Sequence, residues 1–486
     1  MIEEHIKIHD KFSVEMKVGF STHQEFDENE FSMDMWMFIP NSLDINRHTY
    51  SKSDFYRDMK SNIRLITPVY LMQDIANPEA KPLRLLRESF QRVAQNPVKS
   101  NVLDYEMHIK MFQSILKSAL RDESLHIKHC ESDVDCCSLL ESHIDYISRI
   151  VAEYRNLQSL ISVPTIGKTA FEYSLFGDEF MSNTIELHFL RLLKVLKEKY
   201  PALFDKKKVS LLSIIHAERR YKTEKGFPLI NENDPDNNRN IINRLGTLRK
   251  YMESHLFLNL KVKEDGAFVR QFYYSLAAGI SMIFATVIAF SFQQKYGNFT
   301  MPLFFALVVG YMLKDRIKEL SRFYFSHKLD SKYFDNKTDI KFNDFPIGWY
   351  KESQSFIKDH QTPSEVKQLR NRSAILEAGN QINDEKIILY RLRMLLDRKR
   401  INTSNIYPVT GVNNILRFNL MQFSRMMDDP HIPLYVPDDE DGCKIVNGEK
   451  IYYLNLILRY RYLDKLELKR YRILFNREGI LSLDRF

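Results

Sequence analysis

Residues 271–316 read QFYYSLAAGISMIFATVIAFSFQQKYGNFTMPLFFALVVGYMLKDR, in a chain that is otherwise densely charged. Between Arg270 and Lys295 stand 24 residues without a formal charge, and a helix needs about 20 apolar residues to cross roughly 30 Å of hydrocarbon. A transmembrane helix is therefore expected over 271–294. The next charge-free run, Tyr296 to Leu313, is solidly apolar only from Phe299. A second span over 299–314 is thus marginal, and it needs Lys314 and Arg316 to reach back toward the headgroups. Runs of about 10–14 apolar residues would suit a buried helical pair, whereas two longer ones in tandem favour a membrane hairpin.

The flanks give this hairpin a direction. Arg249, Lys250, Lys261, Lys263 and Arg270 precede it, and Lys314, Arg316, Lys318 and Arg322 follow, while the connecting loop carries only Lys295. Basic residues concentrate on the cytoplasmic side of spans, so both termini are expected in the cytoplasm and the loop outside, in an inner or plasma membrane. The opening MIEEHIKIHDKF lacks the basic and apolar regions of a cleavable signal. Ala277, Ser281, Ala285 and Ala289 recur every four residues, and Ala306 with Gly310 repeats that spacing on the second run. Such small residues let helix backbones approach closely, so they are the expected packing positions, within the hairpin or between copies in a homo-oligomer.

Outside the hairpin the pattern is that of ordinary folded cores. The 486 residues are 44% hydrophobic and 27% charged, which excludes a disordered chain and leaves room for several domains. Phe12, Val14, Met16, Val18 and Phe20 alternate with polar residues, as do Phe31, Met33, Met35, Met37 and Ile39. The two runs are expected to pair as a β-hairpin within a β-rich segment over 1–80. From 81 to 230 the period becomes helical, as in Ile144, Ile147, Val151 and Tyr154, and predicts a helical bundle. The polar NENDPDNNRN at 231–240 reads as a linker before a pre-membrane helix over 241–270. The second span is expected to continue as one helix to about residue 328. Over 340–486 strand patterns return, with an Asn-Gly turn signal at Asn447 and Gly448 and a second turn in NREG. The fold class that follows is an α+β multidomain membrane protein with an N-terminal β-hairpin segment, a helical bundle, a two-helix transmembrane hairpin and a C-terminal antiparallel β-domain.

Chemistry is harder to find. No phosphate-cradling G-x-x-x-x-G-K-[ST], no G-x-G-x-x-G, no nucleophile elbow and no H-E-x-x-H occurs. Cys130, Cys136, Cys137 and Cys443 have no C-x-x-C spacing. Of the Glu and His pairs in the bundle, Glu123 with His126 alone has the spacing that puts both on one helical face; Glu106 with His108, Glu141 with His143 and Glu186 with His188 point apart. No catalytic residue, metal ligand or cofactor is expected from these patterns. A regulatory, sensing or assembly module with a cytoplasmic protein partner fits best. The rivals are a membrane-tethered enzyme whose site is dispersed in sequence, and an oligomeric channel or transport subunit, for which intramembrane charges are missing.

One surface does emerge. Residues 386–486 hold 18 Lys and Arg against 12 Asp and Glu. In a strand, Arg459 and Arg461 share one side and so do Arg470 and Arg472, with Arg391 and Arg393 able to extend the row. Beside a membrane these six arginines are expected to contact anionic phospholipid headgroups. Nucleic acid is disfavoured, because the intervening tyrosines would stack from the opposite side.

Overall fold

The computed structural model describes residues 2–130, 132–162, 167–297, 300–330, 333–373, 385–439 and 442–486, without the side chains of 326–330. The chain opens with strands β1 (Ile2–Asp10), β2 (Ser13–Ser21) and β3 (Glu28–Ile39), helix α1 (Lys52–Asp58) and strand β4 (Met59–Leu65). Helices α2 (Met72–Ala76), α3 (Lys81–Gln95), α4 (Lys99–Lys128), α5 (Asp133–Ser159), α6 (Lys168–Lys199), α7 (Pro201–Lys225) and α8 (Pro235–Glu253) follow. Strand β5 (Asn259–Glu264) leads into helices α9 (Ala267–Tyr296) and α10 (Met301–Asp330). After them come β6 (Asn336–Phe342), β7 (Phe345–Ile357), helix α11 (Ser364–Arg370), β8 (Lys386–Asp397) and β9 (Gly411–Asn419). The chain ends with β10 (His431–Asp438), β11 (Gly442–Glu449), β12 (Tyr452–Tyr462), β13 (Lys465–Asn476) and β14 (Gly479–Arg485).

These elements form two compact units that do not follow the linear order. One unit joins residues 1–64, 258–406 and 410–486; the other is 65–257 with 407–409. The N-terminal and C-terminal strands therefore make one β-unit, where the sequence suggested separate domains over 1–80 and 340–486. Its larger sheet has eight strands in the order β14-β13-β12-β3-β8-β7-β6-β5, and every pair is antiparallel. A second sheet runs β1-β2-β9-β4, and β10 with β11 forms a separate ribbon.

The two alternating runs near the N-terminus do not pair with each other. β2 lies between β1 and β9, and β3 between β12 and β8. Alternation fixes which face of a strand is buried but not which strand lies beside it. The apolar faces instead oppose one another across the core between the sheets, where the rings of Phe20 and Phe31 are 5.2 Å apart; within the large sheet Phe31 stacks on its cross-strand neighbour Tyr462 at 4.4 Å. The Asn-Gly pair also behaves otherwise than expected. Asn447 and Gly448 lie inside β11, opposite Pro433 and Ile432. The NREG turn does join β13 to β14, with Asn476 opposite Gly479.

In the helical unit, Phe90, Tyr105, Phe112 and Tyr154 fill the centre. Gly177 on α6 is required there, since a Cβ would fall 2.2 Å from the Tyr154 hydroxyl. Tyr154 in turn donates to the Ser174 carbonyl at 3.0 Å. Instead of one helix over 241–270, the chain forms α8, started by the Asp234 carboxylate accepting from the Asn237 amide at 2.9 Å, and then turns into β5.

Candidate functional site

The helical hairpin grows out of the edge of the large sheet. β5 and β6 pair from Asn259 opposite Lys341 to Glu264 opposite Asn336, and α9 and α10 continue beyond that pair. Two residues shape the exit. Gly266 takes φ 70° with the Tyr333 ring 2.7 Å from where a Cβ would sit, a place open only to glycine. Buried Asp265 accepts from the Phe334 amide at 3.2 Å and pairs with Lys351 at 3.0 Å.

Beyond the exit the helices run antiparallel and packed. The rings of Tyr273 and Phe325 are 5.0 Å apart, and Arg322 stands 5.5 Å from the Tyr274 ring. Toward the tip, Gly310 faces Ile288. The stripe of small residues lies along this seam: Ala277 and Ser281 are buried, Ala285 and Ala289 half-buried, and Ala306 and Gly310 buried on the other helix. The opposite sides are uncovered, with Ile283, Phe290, Phe305 and Met312 all more than 60% exposed. Among the described residues α9 is the one helix long and apolar enough to cross a membrane, and only 11% of its most apolar window is buried. α10 falls short because Lys314, Asp315, Arg316, Lys318 and Glu319 enter its second half.

The strand register puts all six arginines on the outer face of the large sheet. Arg391 and Arg459 both stand opposite Asp34 of β3, Arg393 and Arg461 opposite Ser32, and Arg470 and Arg472 opposite Ile457 and Asn455 of β12. The face is not uniformly free. Asp34, nearly inaccessible, pairs with Arg459 at 2.8 Å and with Arg393 at 3.0 Å. Arg391 donates to the Ser353 hydroxyl at 3.2 Å. Farther along, α11 covers the sheet, packing Val366 against Trp36, Phe38, Ile387 and Ile457. Arg470 there donates to the Leu369 carbonyl at 3.1 Å. Burial, followed by the charges of Arg370 and Arg472, lowers the pKa of Arg470.

Sequence spacing missed a histidine pair that meets. His143 of α5 and His188 of α6 are buried, with their Nε2 atoms 2.7 Å apart, and His188 Nδ1 shares a hydrogen bond with Ser124 at 2.8 Å. Burial drives both pKa values down, to about 3 for His143, where His188 adds to the effect, and to about 4 for His188, where Arg191 does. The neighbouring glutamates point away: Glu141 pairs with Lys207, and Glu186 with Lys222. The legible signal was each histidine's place in an apolar stripe, with Leu140 and Ile147 on one helix and Ile185 and Leu192 on the other. Among the described residues no group of three His, Cys, Asp or Glu side chains is arranged to hold a metal.

A second buried group lies in the β-unit, where Glu352 accepts from the Tyr390 hydroxyl at 2.8 Å and from Asn336 at 3.3 Å. Burial raises its pKa, against the lowering effect of those two bonds. Its environment is the interior between the sheets, so its hydrogen bonds knit the core. Comparison with known proteins found no matching family model, no similar curated protein and no similar solved structure.

Proposed function

We propose that this chain is an integral membrane protein anchored through the α9–α10 hairpin as two passes. Both termini would lie in the cytoplasm, and the two units would act as a regulatory, sensing or assembly module without catalysis of their own. The observation that carries the reading is the uncovered apolar surface of α9, of which only 11% is buried across the most apolar window. In a soluble protein a surface of that kind would be hidden in a core or in an interface. The basic outer face of the sheet would add contact with anionic phospholipid, through Arg461, Arg470 and Arg472 more than through Arg393 and Arg459, whose charge Asp34 already offsets.

Washing membranes that contain the full chain with alkaline carbonate tests the anchor. Retention in the pellet supports it, and release with peripheral proteins overturns it. In a background without the native cysteines, Tyr296→Cys should react with an impermeant thiol reagent from outside, while reporters fused to both ends signal cytoplasm. Ends in opposite compartments would mean a single pass.

A further inference from the structure

Among the described residues the outer-face arginines fall into two groups, and one of them has no carboxylate of its own. Arg393 and Arg459 share Asp34. Two and four residues from that row along β12, Arg470 stands opposite Ile457 and Arg472 opposite Asn455. Among the described residues neither enters an ion pair; Arg470 reaches only the Leu369 carbonyl. Asp484 stands opposite Arg472 in register, but its carboxylate accepts from the Ser482 hydroxyl at 3.4 Å. Arg370, 7% exposed, joins them from α11. Its partner Glu385, at 2.8 Å, also pairs at 3.1 Å with Arg372, which has a second carboxylate in Asp359 at 3.0 Å. The Phe486 ring covers the pair on β13, 4.7 Å from the Arg470 guanidinium carbon and 4.3 Å from that of Arg472.

A second observation points the same way. Among the described residues the Nε atoms of Arg370, Arg470 and Arg472 are buried without a hydrogen-bond partner, as is Trp36 Nε1 on the same sheet face, and Asn455 Oδ1 is an unpartnered acceptor there. Buried N–H donors without acceptors cost free energy, and like charges brought together cost more. A ligand rich in acceptor oxygens and carrying negative charge relieves both at once. Planar guanidinium groups fit a phosphate with paired N–H···O bonds, which a lysine cannot supply.

We propose that Arg370, Arg470 and Arg472, beneath Phe486, form a binding site for a phosphate-bearing anion. The site rests on the reading of this sheet face as a headgroup surface and narrows it to one place and one chemistry. The phosphate belongs either to a lipid headgroup or to a soluble phosphate ester.

The test uses the full chain in neutral detergent, melted while inorganic phosphate replaces chloride at constant ionic strength. A saturable rise of the midpoint by about 2–4 °C is expected. Arg470→Gln and Arg472→Gln should lose the rise while melting no lower than the parent without phosphate, because each removes a repelling charge. Arg472→Lys, which keeps the charge and loses the fork, should bind more weakly and guards against a folding defect in the glutamine variants. A rise that survives in both glutamine variants, or no rise with any phosphate probe, overturns the proposal. Binding to phosphatidic acid vesicles in preference to phosphatidylcholine vesicles, lost in the variants, assigns a lipid source; a phosphate response without that preference assigns a soluble ester. Carbonate extraction reads the α9–α10 anchor independently, so failure of either idea leaves the other standing.

Discussion

Ile288 of α9 and Gly310 of α10 meet so closely that a Cβ at Gly310 would lie 3.6 Å from the Ile288 Cγ2. That is ordinary van der Waals contact, so one methyl fits and a larger side chain does not. Gly310→Ala should leave the hairpin as stable as the parent, whereas Gly310→Leu should separate the helices. Ala285→Leu should behave like the latter and Ile283→Leu should be silent, since Ala285 lies on the seam and Ile283 is 66% exposed. The measurement is the melting midpoint in mild detergent. Equal midpoints for all four variants would deny the seam any part in packing.

The buried pair of His143 and His188 makes the helical unit sensitive to acid. Their folded pKa values, about 3 and about 4, lie below the ordinary 6.5, so the folded state binds fewer protons than the unfolded one. Stability from this source is full above pH 6.5 and is lost as pH falls toward 4. At pH 5 the loss is roughly 2 kcal/mol per histidine. Replacing both by leucine should remove about half of the fall in helical stability between pH 7 and pH 5, followed by circular dichroism, because His108 and His255, whose pKa values burial also lowers to about 4, contribute the rest. An unchanged slope would place the acid sensitivity elsewhere, with His108 the next candidate, its pKa lowered to about 4 by burial and by Arg92.

Asp34 anchors two guanidinium groups at once. Asp34→Asn keeps the shape but leaves Arg393 and Arg459 facing each other without a counter-charge. A loss of about 3 kcal/mol is expected, the lower end for a broken buried pair because both arginines keep some contact with water. Denaturant unfolding of the β-unit measures it. If Arg393→Leu in the Asp34→Asn background restores none of the loss, repulsion between the two arginines is not its cause.

How far the sequence could be read depended on what each pattern encodes. Apolar alternation in β3 located the face that packs inward through Phe31 and Met33, yet it said nothing of Trp36 and Phe38 on the other face. Those are buried only because α11, distant in sequence, lies over them. The arginine row was legible because residues two apart in a strand must share a side. Its division into a neutralised and an unneutralised half was not, since Asp34 reaches Arg393 and Arg459 across 359 and 425 residues of chain. Charge-free length marked α9, and the same criterion counts residues along one helix without regard to what stands beside them.

That neighbour matters for how deep the hairpin can sit. From Ile288 beside Gly310, four steps toward the sheet bring Phe284 of α9 level with Lys314 of α10, and the contact of Tyr273 with Phe325 continues the same register. The charged half of α10 therefore lies alongside the apolar first half of α9. Were all of 271–294 in hydrocarbon, Lys314, Asp315, Arg316, Lys318, Glu319 and Arg322 would be immersed with it, at about 2.5–3.5 kcal/mol for each charge near the centre. The stretch in which both helices are free of charge, Phe304 to Leu313 on α10 beside Ala285 to Gln294 on α9, rises only about 15 Å, because Lys295 stands level with Leu303, so two passes need a locally thinned bilayer. Single cysteines report the depth, in a background without the native ones. Leu320→Cys, and Ile280→Cys at nearly the same height on the other helix, should react with a water-soluble maleimide supplied from the side of the termini. Phe290→Cys and Val308→Cys, nearer the tip, should not. Protection at Leu320 equal to that at Phe290 would mean that the charges of α10 do lie within the membrane, where ionisable groups mark a transport pathway rather than an anchor.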